Sequence, residues 1–88
     1  MDRTAFREMV EREGYTVGDI RTWKANSVSD RHSHEFDAKL MVLSGEVTIT
    51  SGDDVATYRP GDIFAVARGT EHVEAVGPDE VSLLVGRK

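Results

Sequence analysis

The apolar positions of the chain follow two regimes that meet at Gly14. Ahead of it, Ala5, Phe6, Met9 and Val10 form one stripe with the 3.6-residue period of a helix. Thr4 stands before the stripe as a candidate N-cap, and Gly14 lies where a helix stop is expected. Glu8 and Arg12 are spaced i,i+4 on the polar side, as an ion pair needs. The pattern predicts one short amphipathic helix over residues 4–13. Alone it is marginal, so it must dock on something.

Beyond Gly14 the period shortens to two. Asp19 to Lys24 alternates, with Ile20 and Thr22 against Arg21 and Trp23. Phe36 to Leu43 is apolar at 36, 38, 40 and 42 but also at 41 and 43, which predicts a strand covered on both faces. Val47 to Thr50 alternates strictly, and Ser51-Gly52-Asp53-Asp54 reads as a hairpin loop into a strand over 55–59. Arg59-Pro60-Gly61-Asp62 is a tight turn of the Pro-Gly kind. Strands follow over 63–66, 72–76 and 81–85. Short strands with turns this frequent predict an antiparallel sandwich or barrel.

The composition narrows the function classes. The chain has 88 residues, no cysteine, three histidines and a net charge of −5. That length predicts a single core, with an N-terminal helix over 1–15 packed on one barrel domain over 16–88. Without cysteine there is no disulfide framework and no thiolate metal site, so a transition metal must be held by nitrogen and oxygen. The Lys and Arg are scattered and the balance is acidic, which argues against a nucleic-acid partner. The longest apolar run is Leu40-Met41-Val42-Leu43. A bilayer span needs about 20 such residues, so no membrane partner is expected. The stretch MDRTAFREMVERE carries no signal-peptide apolar region, and a cytoplasmic location is expected.

The histidines carry the candidate chemistry. His32 and His34 are separated by one residue, so in a strand both rings point to one face, about 6.5–7 Å apart along the backbone. His72 follows two hairpins later, with enough chain between to bring a strand back beside the first pair. Three imidazole nitrogens form a facial set that leaves positions open for water or substrate. On spacing alone, histidines in solvated turns account for the same residues equally well.

The surroundings of the histidines resemble the two motifs of the cupin family. His32 and His34 match the paired His-x-His of the first motif. Gly45 matches its closing glycine, within Val42-Leu43-Ser44-Gly45-Glu46. Gly61, Gly69 and His72 match the spacing of the second motif, which opens at Arg59-Pro60-Gly61-Asp62. The resemblance spans about residues 26–76. It implies an all-β cupin-type antiparallel barrel, or jelly roll, with one short N-terminal helix. It also implies a divalent transition metal (iron, zinc, nickel or manganese) held inside the barrel by His32, His34 and His72.

The departures matter as well. Asn26, Ala67 and Val76 stand where the family has glycine, proline and asparagine. Ala38 occupies the place of the family's acidic ligand, so that donor is absent there. Asp37 reaches the site only if a bulge turns it inward. Glu74 shares a face with His72 by alternation. For both, a solvated carboxylate at a strand edge is the preferred reading, and water is expected to complete a three-histidine shell.

Other residues yield to plainer explanations. Trp23 and Phe36 fit a pocket wall but fit a core better, and Tyr15 and Tyr58 fit packing. Lys24, Arg21 and Arg68 are candidates for an anion at the barrel mouth, with solvated side chains the simpler reading. Neither a G-x-S-x-G elbow nor a glycine-rich phosphate loop is present. Two functions remain open, since fold does not fix function. One is a small metalloenzyme, oxygenase-, isomerase- or lyase-like, acting on a small organic molecule. The other is a non-catalytic metal- or small-ligand-binding regulatory module. Open metal positions favour the first, and the lack of an evident general acid or base favours the second. The doubly apolar strand over 36–43 leaves one face to be covered by the helix or by another copy, and the second case predicts a homodimer.

Overall fold

A computed structural model describes all residues, 1–88. One helix, α1 (Arg3–Arg12), precedes eight strands: β1 (Thr16–Val17), β2 (Arg21–Trp23), β3 (Ala38–Ser44), β4 (Val47–Ser51), β5 (Asp54–Tyr58), β6 (Ile63–Val66), β7 (Val73–Val76) and β8 (Val81–Arg87). All pairings are antiparallel. One sheet runs β1-β8-β3-β6, with β2 also on β8, and the second runs β5-β4-β7. The two sheets close a jelly-roll barrel with one short N-terminal helix.

The helix begins one residue earlier than the apolar stripe suggests. Asp2, not Thr4, is the N-cap, and its carboxylate accepts from the Ala5 N–H at 2.8 Å. At the other end Gly14 adopts φ +95°. Its N–H donates to the Glu11 carbonyl, and the Tyr15 N–H donates to Val10 at 2.9 Å. This is the pairing of a Schellman stop, and Tyr15 packs in the same apolar cluster as Val10.

Two faces of β3 are buried for two different reasons. Ala38, Leu40 and Val42 point between the sheets, where they meet Val47, Ile49, Phe64, Val76, Val81, Leu83 and Val85. Met41, on the opposite face, packs with Leu84 of β8 and with Phe6 and Val10 of α1. The helix therefore docks on the outer face of the larger sheet. A hydrogen bond of 2.7 Å from the Lys39 ammonium to the Glu13 carboxylate ties the helix end to β3 and raises the Lys39 pKa above 10.5. The chain's own helix, not a second copy, covers this face of β3. No helix is long and apolar enough to cross a membrane.

Residues 26–32 lie along the free edge of β7 as an irregular strand. Val28 bridges Ala75, and the Ser29 N–H donates to the Glu74 carbonyl at 2.9 Å. Next along the segment, His32 faces His72, and their backbones exchange both hydrogen bonds, at 3.1 and 2.9 Å. Between these pairs Asp30 and Arg31 oppose the single residue Val73. This extra residue is a bulge, and it shifts the register by one.

Candidate metal centre

The bulge is what sets His32 directly opposite His72. In a mutually hydrogen-bonded antiparallel pair both side chains rise from the same side of the sheet. His34 is two residues on, outside any regular strand, yet its ring also turns to this side. The ring centroids of His32 and His72 are 4.3 Å apart, and His34 lies 4.9 Å from His32 and 5.4 Å from His72. Glu74 joins them by simple alternation along β7, two residues after His72. One ligand atom from each of His32, His34, His72 and Glu74 lies within 4.8 Å of all the others.

Hydrogen bonds to the backbone orient two of the rings. His32 Nδ1 lies 2.8 Å from the Asp30 carbonyl, and His72 Nδ1 lies 3.0 Å from the Thr70 carbonyl. Carbonyl oxygens only accept, so each Nδ1 must carry the proton. In a neutral ring the inward Nε2 then carries a bare lone pair. These lone pairs face Glu74 Oε1, at 2.9 Å from His32 and 3.5 Å from His72. Three acceptors around one point repel unless a proton or a cation sits among them. This donor set, two nitrogens and a carboxylate with His34 beside them, suits a divalent transition metal. The Nδ1–carbonyl bonds are the outer-shell partners that such ligands characteristically have.

His34 is held differently. Its ring stacks on Phe36 at 4.8 Å, and its backbone carbonyl accepts the Gly69 N–H. Burial holds its pKa below 6.5, and the charges of His32 and His72 lower it further. A depressed folded-state pKa means that the unfolded chain binds more protons just below pH 6.5. Metal-free protein should therefore lose stability as the pH falls from 6.5 through the folded value. Thermal melts in chelator at about pH 7.5 and about pH 5.5 check this. The expected result is that the change in midpoint on going to the acid pH is less unfavourable in His34→Gln than in wild type.

Three of the four donors, His34, His72 and Glu74, line a cavity of about 530 Å³ between the sheets. Its wall is largely apolar, with Trp23, Phe36 and Phe64 contributing the large rings. A family model described as the cupin domain matches residues 20–85. The chain belongs to the cupin family.

Solved cupin-like structures agree with the fold. A cupin-2 domain protein from Shewanella frigidimarina superposes with TM-score 0.69 at 19% identity, over 82% of this chain and 68% of that one. A protein from Rhizobium leguminosarum gives TM-score 0.77 at 15% identity, over 83% and 68%. A chain from the DMSP lyases RdDddP and RnDddQII gives 0.71 at 17% identity, over 78% of this chain but only 36% of that one. At such identities the likeness is one of fold. A comparison with curated proteins gives no match.

Within this cupin the sequence expectations divide. His32, His34 and His72 come together. Ala38 is buried in the cavity wall and offers no donor, as expected from its parity. Asp37 is used elsewhere, because its Oδ1 accepts the Arg68 N–H at 2.8 Å and so holds the 67–70 loop. Glu74 is not a solvated edge carboxylate. Its side chain is only 15% exposed and lies between His32 and His72, so β7 brings a carboxylate to the histidine group where Ala38 brings none. Among the cationic candidates, Arg21 and Lys24 line the cavity and Arg68 does not. Arg87 also lines it, a position that the apolar run of β8, which ends at Val85, does not indicate. The signal was available: Val81, Leu83, Val85 and Arg87 share one parity.

Proposed function

We propose that this cupin binds a divalent transition metal (iron, zinc, nickel or manganese) through His32, His34, His72 and Glu74, and presents it to a small organic molecule in the adjoining cavity. The observation that carries this reading is the meeting of two Nε2 lone pairs with Glu74 Oε1, an arrangement that calls for a cation. When bound, such an ion supplies Lewis acidity and an open position for a ligand oxygen. The chain's own part is to fix the donors. Asp30 and Thr70 carbonyls set the ring tautomers, Phe36 supports His34, and the Ser29 hydroxyl accepts the Glu74 N–H at 2.9 Å, which anchors the strand at that residue.

The metalloenzyme reading, with oxygenase-, isomerase- or lyase-like chemistry, rests on the open side of this site facing the cavity. A second reading, a ligand-binding regulatory module, is favoured by one observation. Apart from His34, His72 and Glu74, the cavity wall offers no histidine, carboxylate or phenol to act as a separate acid or base. One experiment orders the two. Untagged protein is purified, its metal content is measured, and iron-loaded protein is assayed for oxygen uptake with small thiols and enediols. One equivalent of metal supports the site, and oxygen uptake supports the enzyme. Protein that takes up no metal on reconstitution overturns the proposal. A homodimer belongs to the proposal too, with the exposed edge strand β5 as a surface for a second copy. A clean monomer in sedimentation at micromolar concentration would remove it.

A further inference from the structure

We infer that the cavity takes a small organic carboxylate with an apolar body, and that Arg87, with Arg21 in support, holds its carboxylate group. The metal reading is used here only for the opposite end of the ligand. The chain as a whole is acidic, at −5, yet three cationic residues line this wall: Arg21, Lys24 and Arg87. None of them forms an ion pair. Elsewhere Arg31, Lys39 and Arg59 have a carboxylate partner while Arg3, Arg7, Arg12, Arg68 and Lys88 have none, so what sets these three apart is that they share one wall. The single carboxylate of the cavity wall, Glu74, is committed to His32 and His72. Unpaired cations on a concave, partly apolar wall focus a positive potential into it, and a divalent ion would add to that potential.

Arg87 is the best placed of the three. β8 alternation puts it on the cavity side after Val85, exposed at the mouth, and its guanidinium carbon lies 4.8 Å from the centre of the Phe36 ring. Phe36 in turn stacks on His34 at 4.8 Å. The charge is thus supported by an aromatic face and stands no more than two such steps from a candidate metal ligand. A ligand that meets both has a carboxylate a few bonds from a metal-facing oxygen or similar donor. Its apolar part would lie against Trp23, Phe36 and Phe64. The planar guanidinium fork fits a carboxylate with two parallel hydrogen bonds. A phosphate is the weaker match, because the only helix packs on the outer face of the sheet and lends no N-terminus to the cavity.

The test is a calorimetric titration of benzoate, 3-phenylpropanoate and hexanoate, each against its neutral amide, on chelator-treated and on zinc-loaded protein. Arg87→Met keeps an apolar stem over Phe36 and removes the charge; Arg21→Met is the second variant, and circular dichroism checks that both fold. At least one carboxylate should bind metal-free wild type about tenfold or more tightly than its amide. Arg87→Met should abolish that preference, Arg21→Met should reduce it, and added salt should weaken it. Equal binding of acid and amide, no binding of any carboxylate, or an unchanged preference in Arg87→Met overturns the inference. So does phenyl phosphate binding more tightly than every carboxylate. A carboxylate preference that depends on Arg87 in protein unable to hold zinc keeps this inference and removes the metal reading. Zinc binding with no role for Arg87 does the reverse.

Discussion

His72→Ala should leave a folded protein that no longer binds metal measurably. His72 is 3% exposed, the most buried of the four candidate ligands, and it anchors the group from both sides. Its backbone pairs with His32, and its ring is fixed by the Thr70 carbonyl. Changing an outer-shell partner of a metal ligand costs roughly 10–100-fold in affinity, so loss of the ligand itself should exceed about 100-fold. Stability gives an independent readout. A metal at 100 times its dissociation constant stabilises the native state by about 2.7 kcal/mol. For a domain of this size that is a rise in midpoint on the order of 10–20 °C. Wild type should show such a rise with added zinc, and His72→Ala should show none. His72→Gln preserves much of the volume, so a missing rise in both variants traces to the lost nitrogen and not to a cavity. A wild-type rise that survives in either variant would take His72 out of the site.

Much of the fold was legible because burial imposes periods. The 3.6-residue stripe of Phe6, Met9 and Val10 locates α1, and the doubly apolar β3 is sandwiched between the second sheet and that helix. What periodicity cannot resolve are ends and very short pieces. Asp2 and Thr4 are both good caps, and only the backbone path selects Asp2. β1 has two residues, too few to show any alternation. The site was legible in its residue types and less so in its geometry. His32 and His34 converge without lying in a regular strand, because a bulge at Asp30-Arg31 does what strand parity was expected to do. Parity did place Glu74 beside His72. The preference for a solvated carboxylate failed because the 26–32 segment covers that edge of β7, a long-range pairing with no local signature. Arg87 was hidden by its own charge, which marks the end of an apolar run without saying which way the next side chain points.

Gly45→Ala is expected to be the most destabilising small substitution in the chain, at more than about 3 kcal/mol. Gly45 matches the closing glycine of the first cupin motif, and the structure supplies two separate reasons for it. Its φ is +77°, in the left-handed region where a Cβ is strained. A Cβ there would also lie 2.5 Å from the Glu80 carbonyl oxygen and 3.0 Å from Val81 Cα. Both are backbone atoms at the start of β8, and no side-chain rotation relieves them. The turn between β3 and β4 carries the chain from one sheet to the other, so a shift there moves both. Gly52 separates the two effects. It has φ +59° in the β4–β5 hairpin, but a Cβ there meets nothing within 4 Å. Gly52→Ala should therefore cost only the backbone strain, about 1 kcal/mol. Denaturant midpoints of the two variants give the comparison directly. A chain of this size has a total stability of roughly 5–10 kcal/mol, so Gly45→Ala should also show as loss of folded yield at 37 °C, about body temperature. Equal costs at the two glycines would mean that the approach of Glu80 to the turn contributes nothing, and that conformational strain alone explains the glycine of the motif.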